Sequence, residues 1–298
     1  MKPLVYIITI NWNGLEDTIE CLHSLERITY PNYRIIVVDN GSQNVESNIL
    51  MEKFPKIELV KNEKNEGFVI ANNQGIEMAI NNGADYVLLL NNDTVVKDNF
   101  LNILIAYAEA NGDASLLSPK ILYYSSNKIW SNGGKISYFT GLSIMIGKGK
   151  DSGKYLEVVE PDFVSGCAML VKKAVIDNIG LLDPIYFAYY EDADYCFRAK
   201  KSGYRNKVIP ESIVWHKKSA SAGIRGSNKV TPTQAFLWAR NGLIFARKNL
   251  NGWRLLTFLI GQFTAKFIVV ILRASRPRSI YGYLCGLYRG LNGNDVRI

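Results

Sequence analysis

The sequence predicts an α/β protein: a mostly parallel central sheet covered by helices on both faces, with a helical extension at the C-terminus. Two observations carry this. Over the first hundred residues, short apolar runs alternate with segments of helical periodicity, the pattern of βαβ units. Those runs are apolar at successive residues rather than at every second one, as strands buried on both faces must be. With 298 residues, 48% of them hydrophobic, the chain has mass for a large core, which excludes disordered and collagen-like classes.

The elements follow in order. Leu4–Ile10 reads as a buried strand, and Leu15, Ile19, Leu22 and Leu25 give a helix its apolar stripe. Arg34–Val38 is a second strand, ending at the turn cluster Asp39-Asn40-Gly41-Ser42. Val45–Phe54 reads as helix, Ile57–Val60 as strand and Phe68–Ile80 as helix. Asp85–Leu90 is a fourth strand, ending at Asn91-Asn92-Asp93, and Phe100–Ala110 is helical. Beyond Leu116 the pattern changes. Lys135–Lys148 alternates around Gly141 like a hairpin, and Asp162–Val171 is a strand interrupted by Ser165-Gly166-Cys167. Lys172–Ile179 and Asp192–Lys201 read as helices, the second closed by Gly203, and Arg205–Ile209 and Ile213–His216 as two short strands. No linker interrupts this unit up to residue 228.

The remainder, 229–298, is a basic, apolar helical extension broken at Asn251-Gly252 and Pro277. It holds 11 Lys/Arg and one acid, a net of +10, so the chain's net charge of +8 leaves −2 for the first 228 residues. Such charge can face nucleic acid, acidic lipid or an anionic ligand. Here it is dispersed through apolar helices, so nucleic acid is not expected as a partner. Leu255–Leu272 is strongly apolar, but Gln262 and Lys266, with Arg273, fall on one face at 100° per residue. That favours a helix lying on a membrane surface, or packed on the protein, over one crossing a bilayer.

The apolar run after Met1 is too short for a signal peptide, and the four cysteines contain no CxxC pair. The expected location is therefore cytoplasmic, with peripheral attachment to the inner face of the cell membrane as an option. There is no Gly-rich dinucleotide loop, Walker A, GxSxG or HExxH motif, which removes support from dehydrogenase, P-loop, hydrolase and zinc readings.

Open parallel sheets bind ligands at the carboxyl ends of their strands. The polar clusters fall there: Thr9/Asn11/Asn13, Asp39/Asn40, Asn62/Asn65 and Asn91/Asn92/Asp93. A carboxylate such as Asp93 can hold a divalent cation on a diphosphate, or can cap the following helix. Glu191 and Asp192 open a helix, where unpaired N–H groups stabilise an anion; either could be a general base or a cap. Asp194 and Arg198 are spaced for a helix-surface ion pair. His216 ends a strand and could be a neutral imidazole ligand, with Lys217, Lys218 and Arg225 suited to phosphate. His23, within the first helix, reads as structural.

Taken in order, several segments resemble a family 2 glycosyltransferase of the GT-A fold. They are Ile8–Asn13, Val37–Ser42, Asn65-Glu66-Gly67-Phe68, Asn72–Ile76, Leu90–Thr94, Val164–Met169, Glu191–Asp194 with Arg198, and Trp215-His216. The style is most similar to the rhamnosyltransferase-like branch that builds surface polysaccharides. The resemblance implies a nucleotide-binding half (1–110) and an acceptor and catalytic half (111–228). It implies that Asp39 recognises the base, with Thr9, Asn11 and Asn40 beside it, and that Asn65, Gly67 and Asn73 shape the nucleoside pocket. Asp93, with Asn91 and Asn92 ahead of it, would bind Mg or Mn on the donor diphosphate, and His216 would be a further metal or diphosphate ligand. Ser165 and Gly166 would flank the donor sugar, and Asp192, or failing it Glu191, would be the base of an inverting transfer. The donor would be a dTDP- or UDP-sugar, dTDP-rhamnose included, and the acceptor a saccharide or lipid-linked hydroxyl. Asn91 replaces the first carboxylate of the family's DxD motif, so weaker metal affinity is expected. The alternatives are a non-catalytic nucleotide- or glycan-binding module and a sugar-phosphate nucleotidyltransferase.

Overall fold

The computed structural model describes residues 2–43, 45–217 and 229–292. The first half alternates as expected: β1 (Val5–Asn11), α1 (Leu15–Leu25), β2 (Tyr33–Asn40), α2 (Glu46–Lys53), β3 (Glu58–Asn62), α3 (Phe68–Asn81) and β4 (Tyr86–Leu90). After β4 come β5 (Thr94–Val96), α4 (Phe100–Ala110), β6 (Ala114–Tyr123), β7 (Ile129–Ser131) and the hairpin β8 (Gly134–Ile136) with β9 (Ser143–Met145). Then follow β10 (Ala168–Lys172), α5 (Lys173–Ile179), α6 (Glu191–Lys201) and β11 (Arg205–His216). The extension is α7 (Pro232–Asn249), α8 (Gly252–Gly261), a π turn (Gln262–Lys266), α9 (Phe267–Arg273) and α10 (Pro277–Asn292).

The main sheet runs β3-β2-β1-β4-β10-β6-β11-β5, with β7 beside β6. Strands β1 to β4 are mutually parallel, and β10 enters antiparallel between β4 and β6. Successive side chains serve opposite faces. Ile8, Val38 and Leu89 pack under α3, α6 and α7, while Ile7, Val37 and Leu88 pack under α1, α2 and α4. This two-sided burial is why the strands are apolar without alternation.

Three local departures from the sequence reading have physical causes. The two predicted strands after Arg205 are one strand, β11, with an irregularity between Ile209 and Ile213. Pro210 lies inside it and cannot donate a ladder hydrogen bond, which makes the run look broken. The chain after Asp93 forms β5, so Asp93 does not cap the next helix; α4 begins at Phe100, as expected, with Asn99 at its N-cap. The third departure is the π turn. It widens one turn of the 252–273 helix and shifts its faces, so Gln262 and Lys266 are buried while Arg273 is exposed.

Helix α7 starts with a capping box: the Thr231 hydroxyl accepts from the Gln234 N–H, with Pro232 next in line. Gly282, Gly286 and Gly290 let α10 lie against α7. A Cβ at Gly286 would stand 2.2 Å from the Phe236 carbonyl oxygen, and one at Gly282 would stand 2.5 Å from that of Pro232. The small cluster of Val230, Ala239, Leu243, Val270 and Tyr283 then ties the extension together, and Phe245 and Phe258 join it to the core under the sheet.

Candidate active site

The carboxyl ends of β1, β2 and β3 form a continuous polar network. Asn11 lies in register with Asp39, and Asn40 with Asn62. The Asn40 amide donates to the Asn65 side chain (3.0 Å) and the Gly67 carbonyl (3.3 Å), and its oxygen accepts from Asn62 (3.0 Å) and from the Glu66 N–H (3.1 Å). Asn65 in turn accepts the Gly67 N–H at 2.8 Å. This pins the loop before α3 over the sheet edge. Two glycines permit it. At φ +74°, Gly41 lies so close to Lys64 that a Cβ would sit 2.4 Å from the Lys64 carbonyl carbon; at φ +90°, a Cβ at Gly67 would meet the Phe187 ring at 2.5 Å.

Asp39 is buried and accepts from the Ser42 N–H at 3.1 Å. Asn11 is engaged at both ends, accepting from Thr18 (2.8 Å) and donating to Glu46 (2.8 Å) and Ser42 (3.1 Å). The Asn92 amide donates to the same Thr18 hydroxyl at 2.9 Å. Asn73 reaches away from this network and staples the backbone of Leu182 through both its amide oxygen (3.1 Å) and nitrogen (2.8 Å). Thr9 is fully buried, and its hydroxyl lacks a hydrogen-bond partner among the described residues.

Asp93 and His216 meet because β5 pairs antiparallel with β11, aligning Thr94 with His216. The His216 Nε2 lies 3.1 Å from the Asp93 Oδ1, both side chains are buried, and the ring packs edge-on to Trp130 at 4.4 Å. Burial opposes charge on this ring, but the Cys167 sulfur and the Asp93 carboxylate outweigh it and lift its pKa to about 10. Among the described residues, no group of three His, Cys, Asp or Glu side chains could hold a metal alone. Asp93 fits a cation whose other ligands are phosphate oxygens and water, since Mg²⁺ commonly takes one or two carboxylates with the rest from substrate; the protonated His216 ring fits diphosphate oxygens rather than the ion. Lys217 points elsewhere, to Asp17 (2.8 Å) and Glu20. Lys218 and Arg225 lie outside the described residues.

Glu191 and Asp192 open α6 directly after two tyrosines in the left-handed region, Tyr189 (φ 70°) and Tyr190 (φ 73°). The Gly166 N–H donates to the Asp192 Oδ2 at 3.1 Å, and the Ala193 N–H to its Oδ1 at 2.7 Å. Burial raises the Asp192 carboxyl above the usual carboxylate range, against those N–H donors. Burial and then the charge of Asp192 hold Glu191 well above it too, and the Glu191 Oε2 is buried without a hydrogen-bond partner among the described residues. Ser165, also buried, accepts the Cys167 N–H at 3.2 Å.

The segment Ser165–Cys167 joins these two groups. The Cys167 carbonyl accepts the Asn91 N–H (2.9 Å) at the end of β4, while its neighbour Gly166 holds Asp192. Burial pushes the Cys167 thiol up, and His216, Asp93 and Asp192 all lie within electrostatic reach of it. The expected Asp194–Arg198 pair forms at 2.9 Å, but with Asp194 buried rather than on the helix surface; the same guanidinium ties down the carbonyls of Ile179 and Leu181, so that pair is structural. His23 is on the surface, 3.0 Å from Glu26. Four polar residues around the site were given no site role by the sequence: Thr18, and Arg240, Asn241 and Lys266 of the extension. All are buried. Arg240 and Lys266 are charged residues inside otherwise apolar helices, which was the available hint; Asn241 offered none.

The profile of Glycosyl transferase family 2 matches residues 6–179. The dTDP-rhamnosyl transferase RfbF of Shigella flexneri is 24% identical over 258 residues, covering 84% of this chain and 82% of that protein. The N-acetylglucosaminyl-diphospho-decaprenol L-rhamnosyltransferase of Mycobacterium tuberculosis is 24% identical over 247 residues, covering 75% of this chain and 79% of that one. Among solved structures, GalNAc-T7 with UDP, GalNAc and Mn²⁺ superposes with a TM-score of 0.62 at 16% identity; the match covers 80% of this chain but only 47% of that one. The profile spans more than half of the sequence and falls on the sheet apart from β11, the strand-end network and the Ser165–Cys167 segment: the chain belongs to glycosyl transferase family 2, enzymes that transfer a sugar from a nucleotide-sugar donor to an acceptor.

Proposed function

We propose that the protein is an inverting glycosyltransferase of surface polysaccharide synthesis, with a dTDP- or UDP-sugar as donor and a saccharide or lipid-linked hydroxyl as acceptor. The observation that carries this reading is the convergence on Ser165–Cys167: one loop touches both the strand end that leads to Asp93 and the Asp192 carboxylate. Residues 1–110 hold the nucleotide, through Asp39, Asn40 and the Asn65–Gly67 loop. Residues 111–228 supply the base and the acceptor side. Rhamnose on dTDP is the first donor to try, because two relatives carry rhamnosyl transfer in their names.

Inverting transfer needs a base on one face of the anomeric carbon and a leaving group on the other. Asp192 takes the acceptor hydroxyl proton as the new C–O bond forms, and the electron pair of the breaking bond leaves with the nucleoside diphosphate. Its raised carboxyl suits that task, since a base works best when its pKa approaches the working pH. Ser165 and Gly166 flank the sugar between base and diphosphate. Asp93 would hold Mg²⁺ or Mn²⁺, which when bound neutralises charge growing on the diphosphate, and the protonated His216 ring would face the same diphosphate. The Mn²⁺ in the GalNAc-T7 structure supports that cation choice.

The extension suits attachment to an anionic membrane surface, where a lipid-linked acceptor would reside. The 252–273 helix is long and apolar enough to cross a membrane, and only 28% of its most apolar window is buried. Its midpoint is nonetheless fixed to the protein: Gln262 donates to the Gly141 carbonyl (2.9 Å) and Lys266 to the Tyr190 hydroxyl (2.7 Å). Leu256, Ile260, Ile268 and Leu272 face outward, with Arg273, Arg276 and Arg278 exposed at one end. A helix with that division lies in the interface rather than spanning it.

The test incubates the full chain with Mn²⁺, dTDP-rhamnose or a UDP-sugar, and a lipid-diphosphate-linked saccharide. Nucleoside diphosphate release and the anomeric configuration of the product are followed by NMR. Acceptor-dependent release with inverted configuration is expected. No release from any donor, or retained configuration, would overturn the reading.

A further inference from the structure

We propose that Asn241, Arg240 and Lys266 of the C-terminal helices are positioning residues for the Glu191–Asp192 pair, making the extension part of the catalytic apparatus. The proposal rests on Asp192 being the base. The loop at 185–190, which delivers α6, is gripped from three sides. On the nucleotide side, the Phe187 carbonyl accepts the Phe68 N–H (2.9 Å) and its ring closes on Gly67. From α7, the Asn241 amide donates to the carbonyls of Ala188 (2.8 Å) and Tyr189 (2.9 Å). Arg240 donates to the Ile185 carbonyl (2.9 Å) and braces the Asn241 oxygen (2.9 Å). From the π turn, Lys266 donates to the Tyr190 hydroxyl (2.7 Å), and its ammonium lies 4.9 Å from the centre of that ring.

Three features show that this grip has a purpose beyond packing. Arg240 and Asn241 are about 1% and 0% exposed, and burying such groups is costly unless they are hydrogen-bonded. The loop they hold carries two consecutive tyrosines in the left-handed region, a conformation that persists only where surroundings enforce it. The enforced turn ends one residue before Glu191, so it sets the direction in which the first turn of α6 presents both carboxylates to Gly166. If the turn relaxes to ordinary backbone angles, the carboxylates swing while the strand-end network of the nucleotide half stays in place.

The test uses the full chain, with a nucleotide sugar that the parent turns over, and the variants Asn241→Ala, Lys266→Met, Tyr190→Phe and the Lys266→Met/Tyr190→Phe double. Lys266→Met and Tyr190→Phe keep packing volume, so the question stays answerable if Asn241→Ala folds poorly. Asn241→Ala is expected to lower kcat about 100-fold, the scale of a small misplacement of a catalytic group, with dTDP or UDP affinity in Mn²⁺ within twofold of the parent. Lys266→Met and Tyr190→Phe should each lower kcat, and the double variant should be no worse than either, because both break one bond. Parent-like kcat in Lys266→Met and Asn241→Ala, or kcat falling only in step with nucleotide affinity, would overturn the proposal while leaving the transferase reading intact. A parent that transfers no sugar would overturn both.

Discussion

The Asp192 carboxylate accepts the backbone N–H of Gly166 at 3.1 Å, and the next residue, Cys167, is bonded to Asn91 at the end of β4. If, as proposed, Asp192 is the base and Asp93 lies at the diphosphate, one short segment sets the gap between them.

If Asp192 is the base, Asp192→Asn removes the proton acceptor and keeps the shape. Transfer should fall by about 10²–10⁴-fold, while nucleoside diphosphate binding measured by calorimetry stays the same. Normal turnover by this variant would remove Asp192 from the mechanism.

Glu191 predicts a stability effect with a definite sign. Its carboxyl is held above the ordinary range by burial and by Asp192, so the folded state binds the proton more tightly than the unfolded one. The stability this gives is complete below the unfolded pKa and is lost as pH rises through the folded one. Glu191→Gln should therefore raise Tm by about 2–6 °C at pH 8, with little change at pH 4. An equal or lower Tm at pH 8 would contradict the assignment.

Two glycines should behave differently. Gly67 has φ +90° and its missing Cβ would collide with the Phe187 ring, so Gly67→Ala should cost about 1–3 kcal/mol in chemical denaturation. At Gly166 a Cβ would find ordinary contacts, 3.5 Å from the Asp192 Cβ and 3.7 Å from the Glu191 Oε1. Gly166→Ala should fold with an unchanged midpoint but turn over more slowly, because the methyl group enters the space proposed to lie between base and sugar. Unchanged kcat/KM in Gly166→Ala would place the sugar elsewhere.

The outward face of the 252–273 helix predicts flotation with phosphatidylglycerol vesicles, weakened by high salt as arginine–lipid attraction is screened. Leu256→Ser/Ile260→Ser should reduce it further. Failure of the parent chain to float would assign that face to another protein surface.

Most of the sheet was legible because its physics is local: a strand buried on both faces must be apolar throughout, and Leu4–Ile10 and Asp85–Leu90 show it directly. Asp93 and His216 were each visible as polar ends of strands. Their contact was not, because it depends on the three-residue β5 aligning with β11, and no short-range pattern encodes that pairing. The π turn was hidden for a related reason. A period of 3.6 residues put Gln262, Lys266 and Arg273 on one face, while one widened turn sends only the first two inward. Asn241 gave no signal because its partners, the carbonyls of Ala188 and Tyr189, carry no side-chain identity.

The most direct measurement is the thermal shift of the parent and of Asp93→Ala with dTDP and UDP, each with and without Mn²⁺. A ligand that binds only the folded state at a hundredfold excess over its Kd stabilises it by about 2.7 kcal/mol. A Mn²⁺-enhanced shift with one of these nucleotides is expected in the parent, and loss of the Mn²⁺ enhancement in Asp93→Ala. No Mn²⁺-dependent shift in the parent, or the same shift in both proteins, would contradict the assignment of Asp93 to the donor diphosphate.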